Sequence, residues 1–312
     1  MDNGFLNLFG NVFVASGALG IDGKGYWYDK LLNWIPGHNF DGATFIAKTV
    51  TVDARDGNLP LKDNLQPRDK FPKCVKLYPF SGHMMNAVGV SSPGLQTILE
   101  SGVWDNRTKP FLISIIPVRQ SFKERVREIQ EVTQLILKHR FSTMVGIQLN
   151  VSCPNTEVNH DSYFGEIFSY LSILKETRLP IDLKVNILVP VYKIIELINL
   201  STFVNLQAIT CSNTIPYKSI PEINWDKYSG LESMGGGGLS GPTLLPYVVN
   251  WIKEFRNKNK TMPIKACGGI FSKEDVDKVV EAGANAIEIG TVKLFRPHRV
   301  KGIIKRMEDL SE

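Results

Sequence analysis

An eight-stranded α/β barrel, the (β/α)8 or TIM barrel, is the fold that this sequence predicts, and three observations favour it. Eight short apolar segments rich in β-branched residues alternate with longer segments of helical period. Most of these short segments are apolar nearly throughout, which is typical of parallel strands covered on both faces. The 312 residues contain no interdomain linker or low-complexity tail, so one domain over residues 1–312 is expected. A doubly wound open sheet is the alternative.

The strand and helix candidates follow one another in order along the chain. The strand candidates are residues 11–15, 43–49, 110–116, 144–151, 182–188, 205–210, 262–266 and 284–289. The clearest helical pattern covers residues 122–139, where Ser121 and Glu124 form a capping-box pattern. Ser272 and Asp275 give a similar start to a later helix. A third helical pattern covers residues 244–255.

Two segments interrupt the alternation, residues 53–85 and residues 216–238. The first is rich in Pro, Lys and Asp and lacks periodicity, and the second ends in glycines. In a barrel they are insertions in the βα loops after strands two and six, on the catalytic face. For most of their residues we expect solvated loops.

Composition narrows the class of protein. The formal charge of +5 arises from 36 basic and 31 acidic residues, a balance that does not indicate a nucleic-acid surface. Four cysteines, Cys74, Cys153, Cys211 and Cys267, are far apart and form no CxxC pair, which favours reduced thiols in a cytoplasmic protein. The N-terminus lacks the pattern of a signal peptide, and no apolar run reaches the ~18–20 residues of a membrane helix.

Glycine motifs at three strand ends predict a phosphate site. GGGGLSGP, residues 235–242, precedes a helical pattern, CGGI follows the seventh strand, and IGT follows the eighth. Glycines before a helix let main-chain N–H groups face an anion, and barrels commonly hold phosphate after strands seven and eight. No GxGxxG opens the first strand–helix turn and no Walker A motif is present, so a Rossmann dinucleotide site is not expected.

Polar side chains at other strand ends predict one ligand pocket. Lys48 and Lys184 lie in apolar strand patterns, where a lysine must be paired or desolvated, and an anionic or electron-rich ligand is the favoured explanation. Amides suited to a planar ligand with C=O and N–H edges are Asn86, Asn150, Asn155 and Asn213.

Cys153 in NVSCPN has several possible roles. A nucleophile would need a partner histidine, and none of the five histidines lies in a strand-end motif. Metal binding lacks a second ligand nearby, so no metal site is expected. A proton acceptor and a buried structural thiol both stay open.

Together, NVSCPN, AKTVT, MNAVGVSSPG, DLKVNI, SNT, GGLSGP, ACGGI and IGT resemble the dihydroorotate dehydrogenase family, over nearly the whole chain. The resemblance implies an FMN-containing barrel that oxidises dihydroorotate to orotate in pyrimidine synthesis. Cys153 matches the catalytic base of class 1 members, which would take the C5 proton while a hydride leaves C6 for flavin N5. Residues that match substrate contacts are Lys48, Asn86, Ala87, Val88, Gly89, Val90, Asn150, Asn155, Asn213 and Thr214. Residues that match cofactor contacts are Ala15, Ser16, Gly17, Lys48, Thr49, Ser114, Asn150, Lys184, Ser212, Gly241, Gly268, Gly269, Gly290 and Thr291.

The subclass pattern is mixed. NAVG and GGLSGP are similar to class 1B, whose catalytic subunit works with an FAD and iron–sulfur partner, whereas Ser114 is similar to the class 1A homodimers that use fumarate. A homodimer is the minimum that the resemblance implies. TEVNHDSYFG after NVSCPN and the long segment 53–85 depart from the family pattern. Another dihydropyrimidine substrate therefore stays open, as does a non-redox barrel, against which Cys153 and Lys184 speak.

Overall fold

Eight parallel strands close into a barrel in the part of the chain that the structure, a computed structural model, describes, which is residues 4–151, 160–200 and 205–311. The barrel strands are β1 (Val12–Val14), β2 (Thr44–Ile46), β5 (Phe111–Ile115), β6 (Val145–Asn150), β7 (Ile181–Val185), β8 (Leu206–Cys211), β11 (Ile264–Cys267) and β12 (Ala286–Ile289). Their order around the barrel is β1-β12-β11-β8-β7-β6-β5-β2. The predicted (β/α)8 barrel and all eight predicted strands are confirmed, and closure excludes the open-sheet alternative.

Helices surround the barrel between successive strands. They are α1 (Gly4–Phe9), α2 (Asp29–Leu32), α3 (Leu95–Glu100), α4 (Phe122–Lys138), α5 (His160–Leu174), α6 (Val191–Leu200), α7 (Leu244–Lys258), α8 (Lys273–Glu281), α9 (Thr291–Phe295) and α10 (Val300–Asp309). The predicted capping box of Ser121 and Glu124 starts α4, and the Ser272 side chain caps α8. None of these helices, within the described ranges, has the length and apolar character needed to cross a membrane.

The barrel interior is apolar at its amino-terminal end. Helix α1 covers that end, where Phe5 and Phe9 are almost fully buried against Phe13 and residues at the starts of other strands. The Thr44 hydroxyl donates to the Phe9 carbonyl, which attaches the helix to β2. Because one end is closed by aromatic rings, the opposite end of the strands is the one at which a ligand can enter.

The two insertions form a second sheet, so the expectation of mostly solvated loops is wrong for part of them. Strands β3 (Val75–Tyr78), β4 (His83–Asn86), β9 (Ile215–Pro216) and β10 (Gly238–Ser240) pair antiparallel in the order β3-β4-β10-β9. One face buries Met85 and Leu239 in an apolar cluster with Trp225. Strands this short carry too few residues for an alternating pattern, and their partners lie far away along the chain.

Candidate active site

A cavity of about 980 Å³ opens at the carboxyl ends of the barrel strands, under the insertion sheet. Most residues that the sequence predicted for a site line it together. They are Ala15, Ser16, Gly17, Lys48, Thr49, Asn86, Ala87, Val88, Gly89, Val90, Asn150, Lys184, Ser212, Asn213, Thr214, Gly241, Gly268, Gly269, Gly290 and Thr291. Ser114 does not line the cavity, and Cys153 and Asn155 lie outside the described residues. Volume and lining suit a ligand larger than a single substrate molecule.

One end of the cavity consists of bare main chain. Gly268 and Gly269, directly after β11, have φ angles of 116° and 79°, which favour glycine. A Cβ atom on Gly268 would lie 2.8 Å from Leu244 Cδ2, and one on Gly269 would overlap the main-chain nitrogen of Leu245. This glycine pair therefore lies directly against the first turn of α7, and Gly290 and Thr291 begin α9 beside it. The arrangement fits a phosphate group held by main-chain N–H donors.

The glycine run before α7 differs from the prediction. Gly238–Ser240 is strand β10 of the insertion sheet, and the residues of that motif that line the cavity are Gly235, Gly237, Gly238, Ser240 and Gly241. The main-chain N–H of Thr243 donates to Nε2 of His83 at 3.3 Å, and Thr243 Oγ1 lies 2.7 Å from the same nitrogen. Burial lowers the pKa of His83, which keeps this ring a neutral acceptor. His83 therefore occupies a main-chain donor at the start of α7.

A chain of hydroxyl and amide groups joins residues in or directly after five barrel strands at the cavity floor. Thr49 Oγ1 lies at its centre, 3.1 Å from Ser16 Oγ and 2.9 Å from Ser114 Oγ. Asn150 Nδ2 donates to Thr49 Oγ1 at 3.1 Å, and Asn213 Nδ2 donates to Asn150 Oδ1 at 3.3 Å. Ser114 thus lies behind Thr49 and orients it from below. This hydrogen-bond chain fixes which edge of each amide faces the cavity.

The predicted substrate loop, residues 87–90, is held by a residue that the sequence did not single out. Asn58 Nδ2 donates to the Ala87 carbonyl at 2.7 Å, and the Asn58 N–H donates to the Val88 carbonyl at 2.8 Å. Val90 has a φ angle of 57°, which is unfavourable for a β-branched residue. Such strain is maintained only where the surroundings impose it, and it is common at ligand sites. The insertion 53–85 therefore shapes the loop that borders the cavity.

Lys48, two residues after β2, is a buried cation on the cavity wall. Its Nζ donates to the Ser91 carbonyl, and Ser91 Oγ in turn accepts from Leu59 N–H at 3.1 Å. Burial lowers the pKa of Lys48 to about 8, although the nearby Cys74 opposes that shift. A carbonyl does not neutralise an ammonium group, so this lysine can gain an anionic partner from a ligand.

Lys184 has a different environment, because the protein itself supplies an anionic partner for it. Its Nζ forms an ion pair with Glu288 Oε1 on the opposite strand β12, and both side chains line the cavity. Cys267 Sγ lies 3.6 Å from Lys184 Nζ and 3.6 Å from Glu288 Oε1. Burial and Glu288 raise the pKa of the Cys267 thiol to about 12, so it is uncharged at neutral pH. Glu288, an acid within the apolar strand AIEI, was as visible in the sequence as the lysine but was not singled out.

Comparisons with known proteins show the family of this chain. A family model described as "Dihydroorotate dehydrogenase" matches residues 5–310. The chain is 27% identical over 306 residues to the dihydroorotate dehydrogenase B (NAD(+)) catalytic subunit of Endomicrobium trichonymphae, covering 96% of this chain and 87% of that one. It is 29% identical over 308 residues to the same subunit of Caldicellulosiruptor saccharolyticus, covering 95% and 88%. The crystal structure of the Eimeria tenella dihydroorotate dehydrogenase in complex with ferulenol shares the fold, with a TM-score of 0.67, 17% identity, and coverage of 96% of this chain and 81% of that one.

Proposed function

Because the chain belongs to the dihydroorotate dehydrogenase family, we propose that it oxidises dihydroorotate to orotate in pyrimidine biosynthesis, with FMN as its cofactor. The observation that carries the proposal is the single cavity in which a glycine-lined end, two buried lysines and three amides converge. The family is flavin-dependent, and FMN is the flavin that a site with one phosphate-sized, glycine-lined end suits best.

The residues present fit FMN. The main-chain N–H groups of Gly268, Gly269 and Thr291 would hold its phosphate, with Gly241 and Gly290 allowing close approach. Lys184 would hold the polar edge of the ring, and Ala15, Ser16, Gly17, Thr49 and Ser212 would surround the rest. When bound, FMN supplies a hydride acceptor at N5.

Substrate recognition falls to the chain's own cations and amides. Dihydroorotate carries a carboxylate and a planar ring edge with alternating C=O and N–H groups. Lys48 would bind the carboxylate, because it is a buried ammonium group whose protein partner is an uncharged carbonyl. Asn86, Asn150 and Asn213 would bind the ring edge, together with Thr214 and the Ala87–Val90 loop.

Proton removal from C5 is assigned to Cys153. The thiolate would accept the proton as the hydride leaves C6, and Asn155 from the same motif would contact the substrate. The residue type and its position after β6, whose last residue Asn150 lines the cavity, support the assignment.

The setting of the reaction follows from the relatives and the sequence. We propose one FMN-binding domain over residues 1–312, acting in the cytoplasm as a homodimer. An FAD and iron–sulfur subunit as electron acceptor is supported by relatives that are named as catalytic subunits of the NAD(+) type.

A second candidate is oxidation or reduction of another dihydropyrimidine on the same flavin barrel. The observation in its favour is Asn58, because this residue of the long insertion holds the loop 87–90 that borders the substrate. A change in the insertion can therefore change which ring the cavity accepts.

Anaerobic mixing tests both candidates. The purified protein should be yellow and should release FMN on denaturation, and dihydroorotate should bleach its flavin absorbance. Bleaching by dihydrouracil and not by dihydroorotate would replace the first candidate with the second. Colourless protein that does not bind added FMN would overturn both.

A further inference from the structure

Four charged side chains lie buried in the barrel directly beneath the cavity, and the proposed reaction does not use all of them. They are Asp182 and Lys184 on β7, Lys265 on β11, and Glu288 on β12. Lys265, Asp182 and Glu288 side chains are fully inaccessible to solvent, and the Lys184 side chain is 6% exposed. We call this group the buried ion layer. A barrel interior can be filled with branched apolar residues, so four charges there require an explanation.

The layer is a connected, electrically balanced network. Lys265 Nζ lies 2.8 Å from Asp182 Oδ2 and 3.5 Å from Glu288 Oε2, and Glu288 Oε1 pairs with Lys184. Gln148 Nε2 donates to both carboxylates at 2.9 Å, and the Thr210 hydroxyl donates to Asp182 at 2.8 Å. Two cations and two anions sum to zero. The layer therefore adds no net charge to the cavity above it.

Only part of the layer reaches the cavity. Lys184 and Glu288 line it, whereas Asp182 and Lys265 do not. Burial alone would lower the pKa of Lys184, but the anionic Glu288 beside it contributes to a pKa raised above the ordinary value. Burial alone would raise the pKa of Glu288, but Lys184 and Lys265 lower it overall. Both partners are thus charged at neutral pH, and the ion pair holds the lysine charge at the cavity wall.

We propose that Glu288 is a positioning residue that acts through Lys184: its ion pair holds the ammonium group back at the cavity wall, and it thereby sets the redox potential of the bound flavin. This inference rests on the proposed function. A reduced flavin carries more negative charge than an oxidised one, so a nearby cation stabilises the reduced form and a nearby carboxylate opposes it. Glu288 then keeps the potential lower than Lys184 alone would.

The test compares two carboxylate-to-amide variants in the same layer. Glu288→Gln removes the negative charge at the cavity, and Asp182→Asn removes one that does not reach it. Midpoint potentials of bound FMN are measured against reference dyes at about pH 6, where a lysine stays protonated. Glu288→Gln should move the potential to a more positive value. The shift should correspond to at least a ~10-fold increase in the affinity for reduced FMN relative to the affinity for oxidised FMN. Asp182→Asn should move it by clearly less.

A double-mutant cycle separates action through Lys184 from a direct field. If Glu288 positions Lys184, the shift caused by Glu288→Gln should fall by at least half in a Lys184→Gln background, because the group on which it acts is gone. Equal shifts in both backgrounds would overturn the positioning role. If Glu288→Gln and the wild type have equal potentials, and Glu288→Gln and Asp182→Asn are equally destabilised to heat, the buried ion layer has only a structural role.

Two further outcomes are decisive. If Glu288→Gln does not fold, Lys184→Gln alone tests the pair from the other side, and it should lower the potential; an unchanged potential would overturn the inference. Wild-type protein that binds no FMN would refute the proposed function and this inference with it. Wild-type protein that binds FMN while the variants keep its potential would refute the inference alone.

Discussion

Asn150 Nδ2 donates to Thr49 Oγ1 at 3.1 Å, and this bond joins the end of β6 to the end of β2 across the intervening strand β5. Thr49 is also 2.9 Å from Ser114 Oγ on β5. The Asn150 amide, which would bind the substrate, is therefore oriented by the Thr49 hydroxyl, and Ser114 in turn fixes the position of that hydroxyl. Without that hydroxyl, the amide of Asn150 could rotate and exchange its donor and acceptor edges.

Thr49→Val should weaken substrate binding while preserving shape. The change removes one hydroxyl of a part-buried chain and leaves three polar neighbours short of a partner, which costs about 1–2 kcal/mol, or about tenfold in affinity. Orotate titration monitored by the flavin spectrum measures the dissociation constant. Thr49→Ser retains the hydroxyl and should bind orotate like the wild type. Wild-type affinity in Thr49→Val with weakened binding in Thr49→Ser would show that the methyl group, and not the hydroxyl, matters.

The affinity for orotate should fall as pH rises through about 8, because that is the pKa to which burial lowers Lys48. Below this pH the Lys48 ammonium is charged and attracts the carboxylate, and above it the amine is neutral. Dissociation constants measured from about pH 6 to about pH 10 give the profile, because this range covers both sides of the expected inflection. Lys48→Arg stays charged over the range and should flatten the profile. An unchanged inflection in Lys48→Met would assign it to another group.

Gly269→Ala should abolish FMN retention, because its Cβ would overlap the main chain of Leu245 at a φ of 79°. Strain and overlap together should cost several kcal/mol, about the scale of overpacked or conformationally incompatible sites. Gly165→Ala is the matched control: that glycine lies exposed in α5 with no atom within 4 Å of an added Cβ. The control should stabilise the protein by roughly 0.5–1 kcal/mol in urea denaturation. Full FMN occupancy in Gly269→Ala would argue against a phosphate at this loop.

Glu166→Gln should destabilise the fold strongly. Arg125 Nη2 lies 2.8 Å from Glu166 Oε1, the Tyr170 hydroxyl donates to Glu166 Oε2 at 2.8 Å, and this pair joins α4 to α5 with little solvent exposure. Leaving Arg125 without its carboxylate should cost about 3 kcal/mol. Asp309→Asn breaks the exposed Lys305–Asp309 pair and should cost at most about 0.5 kcal/mol. Similar unfolding midpoints for the two variants would contradict the importance of burial.

Cys153→Ala should slow flavin reduction by dihydroorotate at least ~100-fold, the scale of a lost general base, with FMN still bound. Stopped-flow absorbance measures the rate, and the flavin spectrum of each preparation is its control. Reduction at the wild-type rate would remove the role assigned to this cysteine.

The barrel could be predicted from sequence because most of its strands are largely apolar segments that can be recognised locally. The polar residues at the strand ends were predictable for the same reason, since parallel strands bring their carboxyl ends to one face. The insertion sheet was not, because β4 finds its partner β10 more than a hundred residues later, at Asn86 opposite Gly238. The partner of Lys184 was missed likewise: an acid and a base in separate strands give no sign of their pairing until the barrel closes.

Because Asn86 pairs with Gly238, the two insertions form one structural unit. Residues 87–90 follow one strand of this pair and Gly241 follows the other, and all of them line the cavity. A chimera that received only the first insertion from a relative would carry a strand edge without its complement, next to the substrate loop. Exchanging specificity between members of this family should therefore require both insertions to be transplanted together.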